Sequence, residues 1–219
     1  MKICIIGYGG FGKEVAEYIR QDSNINNHSW DLDNINICIF DDFVTSCPND
    51  FIFMGKIDDY MPTSDDYFLV AFGDSVKRFE VVEKLKAKGA QFTTFVHESV
   101  YIASTAKIGL GTIVCPNCVV NAEASIGDFC VINVGGSIGH ETSVGDFSTL
   151  SSFSAVNGKA KIGRGCFLGT RATLFPKAVL GDFCTVDSHC CVKGIVEKCN
   201  IVSSRMQYCV IKNRLSKEF

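Results

Sequence analysis

From Val96 onward an aliphatic residue returns at every sixth position, and no insertion breaks the count. The run reads Val96, Ile102, Ile108, Val114, Val120, Ile126, Ile132, Ile138, Val144, Leu150, Val156, Ile162, Leu168, Leu174, Leu180, Val186 and Val192; all 17 are Val, Ile or Leu. The fifth position of each hexad is small from Ala106 to Cys190, as at Thr112, Cys118, Gly136, Ser148 and Ala172. Glycine often fills the second position, as at Gly109, Gly127, Gly139 and Gly163. Such a period is neither the 3.6 of a helix nor the 2 of an alternating strand. It describes a solenoid in which each hexad gives one short strand and one turn. Three strands close a triangular coil, and each aliphatic residue stacks on its equivalent 18 residues away. Stability then comes from neighbouring coils packing on one another. A β-sandwich would instead show irregular strand spacing, with turns every 8–12 residues or about that.

The repeat also accounts for much of the cysteine content. Five of the 12 cysteines (Cys118, Cys130, Cys166, Cys184 and Cys190) occupy the small inward site, where a free thiol acts as a small hydrophobe. The pair Cys115 and Cys118 has no second pair at zinc-ribbon spacing, so free thiols and no metal site are expected. With 219 residues, 47% of them hydrophobic, the chain has material for one or two packed domains. A net charge of -3 argues against a nucleic-acid footprint. No apolar run reaches the roughly 20 residues of a membrane span. The run Met1 to Gly7 is too short for a signal peptide, so the cytoplasm is the expected compartment.

Residues 1–95 follow a different pattern. An apolar strand runs into Gly7-Tyr8-Gly9-Gly10-Phe11-Gly12, and a helix-like stretch follows from Lys13 to Arg20. A second strand, Ile35 to Phe40, closes on Asp41-Asp42, and a third, Tyr67 to Phe72, ends at Gly73-Asp74. An amphipathic helix with Phe79, Val82 and Leu85 ends at Gly89. Strands alternating with helices predict a small Rossmann-like parallel sheet. Glycines at 7, 9 and 12 fit a phosphate-binding turn at a helix N-terminus. The acids closing the second strand could bond a ribose or a base. A full dinucleotide domain needs two such halves, so one nucleotide moiety, as in a sugar nucleotide, fits better.

These motifs together resemble the bacterial sugar O/N-acyltransferases of surface-glycan pathways, of the sialic-acid O-acetyltransferase and bacillosamine-pathway types. The resemblance rests on residues 5–15, Phe40-Asp41-Asp42, Ala71-Phe72-Gly73-Asp74, residues 96–100 and the hexads, and so covers nearly the whole chain. It implies a left-handed parallel β-helix over 96–199, a nucleotide-sugar-binding domain over 1–95 and a tail over 200–219. Handedness comes from the resemblance alone, since parallel crossovers are normally right-handed. Also implied are acetyl-CoA as acyl donor and a homotrimer with active sites between subunits.

Acyl transfer from a thioester needs a base and a donor for the oxyanion. The chain has four histidines. His28 sits in a polar stretch and reads as surface loop; His97 falls where the first coil would be capped; His189 lies near the solenoid's end. His140, in Ile138-Gly139-His140-Glu141, takes an outward third hexad position beside a carboxylate able to orient it. The family pattern puts its catalytic histidine in this context, which implies His140 as base and Glu141 as its partner. Gly158 stands 18 residues on, and the matching glycine of the family meets the thioester carbonyl. The cofactor contacts implied are Gly158, Thr170 and Ser188; the acceptor contacts are Gly9, Gly10, Phe11, Asp41, Asp42 and Gly73. The chain departs from the bacillosamine type at Phe11 and Thr149, where that type has histidines, and at 202–206, where Gly-Val-Pro-Ala-Lys is usual. The expected reaction is N-acetylation of a nucleotide-linked amino sugar. Sugar O-acetylation and a catalytically silent β-helix scaffold are the alternatives. A carbonic-anhydrase-like site is disfavoured, because its three zinc histidines are missing from the solenoid.

Overall fold

The computed structural model describes residues 1–21, 35–48 and 50–204; His28, Arg205 and Met206 lie outside them. The N-terminal domain runs β1 (Lys2–Ile6), α1 (Gly10–Gln21), β2 (Asn36–Phe40), β3 (Ile52–Gly55), a 3-10 turn (Ile57–Asp59), β4 (Asp66–Val70), α2 (Ser75–Ala87) and β5 (Gln91–Phe92). All five strands are parallel, in the order β3-β2-β1-β4-β5. Strand β1 is central, and Ile3, Cys4 and Ile5 are fully buried, as a strand covered on both faces requires. The alternating pattern thus holds, with three differences. Helix α1 begins at Gly10, not Lys13, so the glycine turn is also the first helical turn. Strands β3 and β5 add edges too short, and in β3 too exposed, to show in the sequence pattern. On α2, Val82 and Leu85 are buried as expected, but Arg78 is also buried and Phe79 is 38% exposed.

The solenoid starts at Phe95–Val96 and ends at Ile201–Val202, slightly outside the expected 96–199. Its two-residue strands form three parallel sheets. The first face carries the seven strands from Phe95–Val96 to Ile201–Val202. The second carries the six from Tyr101–Ile102 to Cys191–Val192, and the third the six from Lys107–Ile108 to Ile195–Val196. Register follows the sequence period: Val120 pairs with Ile138, and Ile138 with Val156. The aliphatic stack is buried from Val114 to Val192; Ile102, in the first coil, is 37% exposed because packing reaches it from one side only. Inward thiols fill the corners. Burial pushes Cys118 and Cys166 up to about 11 and Cys130 to about 12, so they remain protonated packing groups.

From Gly111 to His189 each corner turns through a residue of positive φ at the fourth hexad position, such as Phe129 (53°), Glu141 (56°) and Lys159 (63°). The second-position glycines answer a different need. At Gly139 a Cβ would lie 2.6 Å from the Gly158 nitrogen of the next coil, so glycine there permits close stacking.

The N-terminal domain lies across the first face and its two flanking corners. On the α1 side, Val15, Ala16 and Ile19 share one apolar cluster with Phe95, Ile113 and Cys115. On the α2 side, Val82 and Leu85 share another with Phe129 and Phe147, whose rings stack 5.2 Å apart. In a three-sided prism this leaves the corner between the second and third faces as the edge opposite the N-terminal domain. His140 lies on that edge.

Candidate active site

The turn after the strand Ser137–Ile138 projects His140 outward, with its side chain 61% exposed. Positive φ at Glu141 swings the next side chain back beside it: Glu141 Oε2 is 2.9 Å from His140 Nδ1. Lys159, one coil on, approaches Glu141 Oε1 at 3.3 Å. The hydrogen bond from His140, and then Lys159, hold the Glu141 carboxyl below its usual range. An ionised carboxylate only accepts hydrogen bonds, so it fixes the tautomer with Nδ1 protonated and leaves the Nε2 lone pair free.

That free nitrogen rests on Gly158. A Cβ at Gly158 would lie 2.4 Å from His140 Nε2 and 2.7 Å from Cε1. Gly158 is absent from the positive-φ residues, so space for the imidazole, not conformation, selects glycine. Its N–H has no acceptor among the described residues. The contrast with the corner between the third and first faces is informative. There the equivalent N–H groups of Leu110, Asp128 and Arg164 each donate at 2.8 Å to an aspartate of the next coil. On the His140 edge the next coil presents Pro176, which offers no side-chain acceptor. An open N–H beside a free imidazole nitrogen can polarise a carbonyl while the nitrogen takes a proton. Lys159 was missed as a partner of Glu141, although the 18-residue coil period places it one coil on.

In the N-terminal domain the glycine turn divides by role. Gly7 has φ +94°, and a Cβ at Gly12 would lie 1.9 Å from Gly7 O. These two serve the tight strand–helix turn. Gly9 and Gly10 are exposed, with nothing within 4 Å of a built Cβ, and α1 opens there with N–H groups free for an anion. Phe11 is partly buried against the α1 cluster. The rest of the Phe11 side chain is open at the start of α1.

Asp41 is held by backbone N–H groups. Its Oδ2 accepts from Tyr8 N–H at 2.6 Å, and its Oδ1 from Phe43 and Val44 N–H at 2.8 and 2.9 Å. Burial would raise this carboxyl, but the three backbone bonds outweigh it and hold it below the usual range. Asp41 therefore ties the glycine turn to the loop after β2, and it is exposed Asp42 that has no hydrogen bond among the described residues. Asp41 and Asp42 share a small cleft with Gly7, Phe40, Phe43, Ile57 and Phe72. Phe43, 94% exposed at this cleft, is an aromatic group that sequence reasoning missed.

Gly73 is exposed, and its carbonyl accepts from Thr149 Oγ1 at 2.9 Å. Thr149, which replaces a family histidine, is 4% exposed and lies at the domain junction. Thr170 and Ser188 are exposed on the corner between the first and second faces, so one chain does not bring them to Gly158. His97 packs against Tyr18 at 5.8 Å, and His189 is an exposed positive-φ turn residue.

With this architecture in view, the class is a left-handed parallel β-helix protein with an N-terminal parallel-sheet domain. Residues 2–85 match the family described as the PglD N-terminal domain. The whole chain is similar to the acetyltransferase domain of PglB from Neisseria gonorrhoeae FA1090 in complex with acetyl coenzyme A, with 24% identity, 90% of this chain and 92% of that chain covered, and a TM-score of 0.80. It is similar to PerB from Caulobacter crescentus in complex with CoA and GDP-perosamine: 23% identity, 92% and 93% covered, TM-score 0.79. WeeI from Acinetobacter baumannii AYE matches at 22% identity, 94% and 98% covered, TM-score 0.81. The N-terminal residues 2–85 thus match a family model, and the whole chain shares the fold of these acetyltransferase structures. No described helix is long and apolar enough to cross a membrane.

Proposed function

We propose that this chain is an acetyl-CoA-dependent N-acetyltransferase acting on the amino group of a nucleotide-linked sugar. The observation that carries the reading is the trio on the solenoid edge: a His140 imidazole held by Glu141 at 2.9 Å and resting on Gly158, whose N–H is open. Similarity to acetyltransferases solved with acetyl coenzyme A, and with CoA and GDP-perosamine, supports the donor and acceptor classes.

His140 Nε2 takes a proton from the sugar amine as the nitrogen attacks the thioester carbon. Negative charge on the carbonyl oxygen is met by the Gly158 N–H, and Glu141 stabilises the imidazolium. Collapse breaks the carbon–sulfur bond, and the departing thiolate recovers the proton from His140. The acceptor domain covers the face opposite His140, with the packed solenoid interior between them. We therefore assign the site to a cleft between subunits of a homotrimer, where one chain offers His140 and Gly158 and its neighbour offers Asp42, Gly9 and Gly10. Thr170 and Ser188 reach the cofactor from the neighbour's corner.

Incubation with acetyl-CoA and a panel of UDP-, GDP- and dTDP-linked amino sugars, followed by thiol release and mass spectrometry, tests this. An N-acetylated product on at least one member is expected. Acetylation confined to hydroxyl sugars would move the assignment to O-acetylation, and no turnover with any member would favour a silent scaffold.

A further inference from the structure

Arg78 is 1% exposed and forms no ion pair among the described residues; its guanidinium is spent on carbonyls and one hydroxyl. Nε donates to Phe129 O at 2.8 Å, and Nη2 to Phe147 O at 2.6 Å and Thr149 Oγ1 at 2.9 Å. Nη2 also lies 3.4 Å from Ser148 O, and Nη1 donates to Phe72 O. One planar fork thus joins two successive solenoid coils to the loop after β4. Thr149 extends the connection by donating to Gly73 O at 2.9 Å. The Phe72 ring in turn packs on the glycine turn, since a Cβ at Gly7 would lie 2.5 Å from Phe72 Cε1.

We propose that Arg78 is a positioning residue: it fixes Phe72, a wall of the acceptor cleft, and the adjoining Gly73 to the β-helix and so sets where a bound nucleotide sits. This rests on the acceptor reading of that cleft. A buried cation without a paired carboxylate is expensive; burial draws Arg78 down to about 10, so it stays charged at neutral pH. A hydrophobic side chain could fill the volume at less cost. Only a guanidinium spans several carbonyls in one plane, which lysine cannot reproduce.

The test uses the full chain with Arg78→Lys and Arg78→Ala. Displacing a binding wall commonly costs up to about a hundredfold, so nucleoside diphosphate affinity should fall roughly tenfold to a hundredfold in both variants. Affinity for CoA should hold within about twofold, since separated sites respond independently. Amide exchange at residues 72–74 should quicken, and millimolar methylguanidinium should restore part of the nucleotide affinity of Arg78→Ala. Equal loss of both affinities, unchanged exchange at 72–74, or no rescue would overturn the proposal. If no nucleoside diphosphate binds the wild type, the acceptor reading fails, while slowing of exchange in Arg78→Ala by methylguanidinium still decides the role of Arg78.

Discussion

At the scale of single residues, His140 and Gly158 form a complementary pair, and the two substitutions should behave alike. A positioned base is worth roughly 10²–10⁴ in rate, so His140→Ala should lower kcat by about that factor. The exposed side chain carries no core packing, so circular dichroism and CoA affinity should stay at wild-type values. Gly158→Ala puts a methyl only 2.4 Å from Nε2, and should lower kcat by tilting the ring. The double variant should be little worse than either single one, because both disable the same unit. Additive losses measured by steady-state kinetics would mean that the two residues act separately.

At the scale of elements, the loop after β2 separates two adjacent acids by role. The Asp41 carboxyl is held below its ordinary pKa near 3.9. Its stabilising effect is therefore fully present above that value and lost as pH falls through the lower folded one. Asp41→Asn should cost roughly 1–3 kcal/mol at neutral pH, as for bonds to a charged acceptor, and should flatten the acid arm of stability; chemical denaturation across pH checks both. Asp42→Asn should weaken nucleotide binding in calorimetry and leave Tm unchanged. Sequence alone named both acids but could not rank them, because the bond from Tyr8 N–H to Asp41 spans 33 positions. The solenoid was legible because its period repeats coil after coil. Strands β3 and β5 were not, because their order comes from pairing with neighbouring strands. Arg78 escaped notice because nothing local marks an arginine whose solenoid acceptors lie 51 to 71 residues away.

At the scale of the whole molecule, the two halves of the site point apart. The N-terminal domain, proposed to hold the acceptor, sits on the first face, and His140 on the edge opposite. The second face between His140 and Thr170 presents Val119, Ser137, Ala155 and Thr173 without a charge, a surface suited to a neighbouring copy. Light scattering should give the mass of three chains. The central claim, that His140 of one chain acts on a sugar held by the next, is tested most directly by mixing two weak variants. Unfolded together and refolded, His140→Ala and Asp42→Asn should give mixed trimers in which some clefts carry both native residues. At low acceptor concentration, acetyl transfer by the mixture should clearly exceed that of either variant refolded alone. A mixture no more active than the average of its parents would contradict the account and place both residues in a site within one chain.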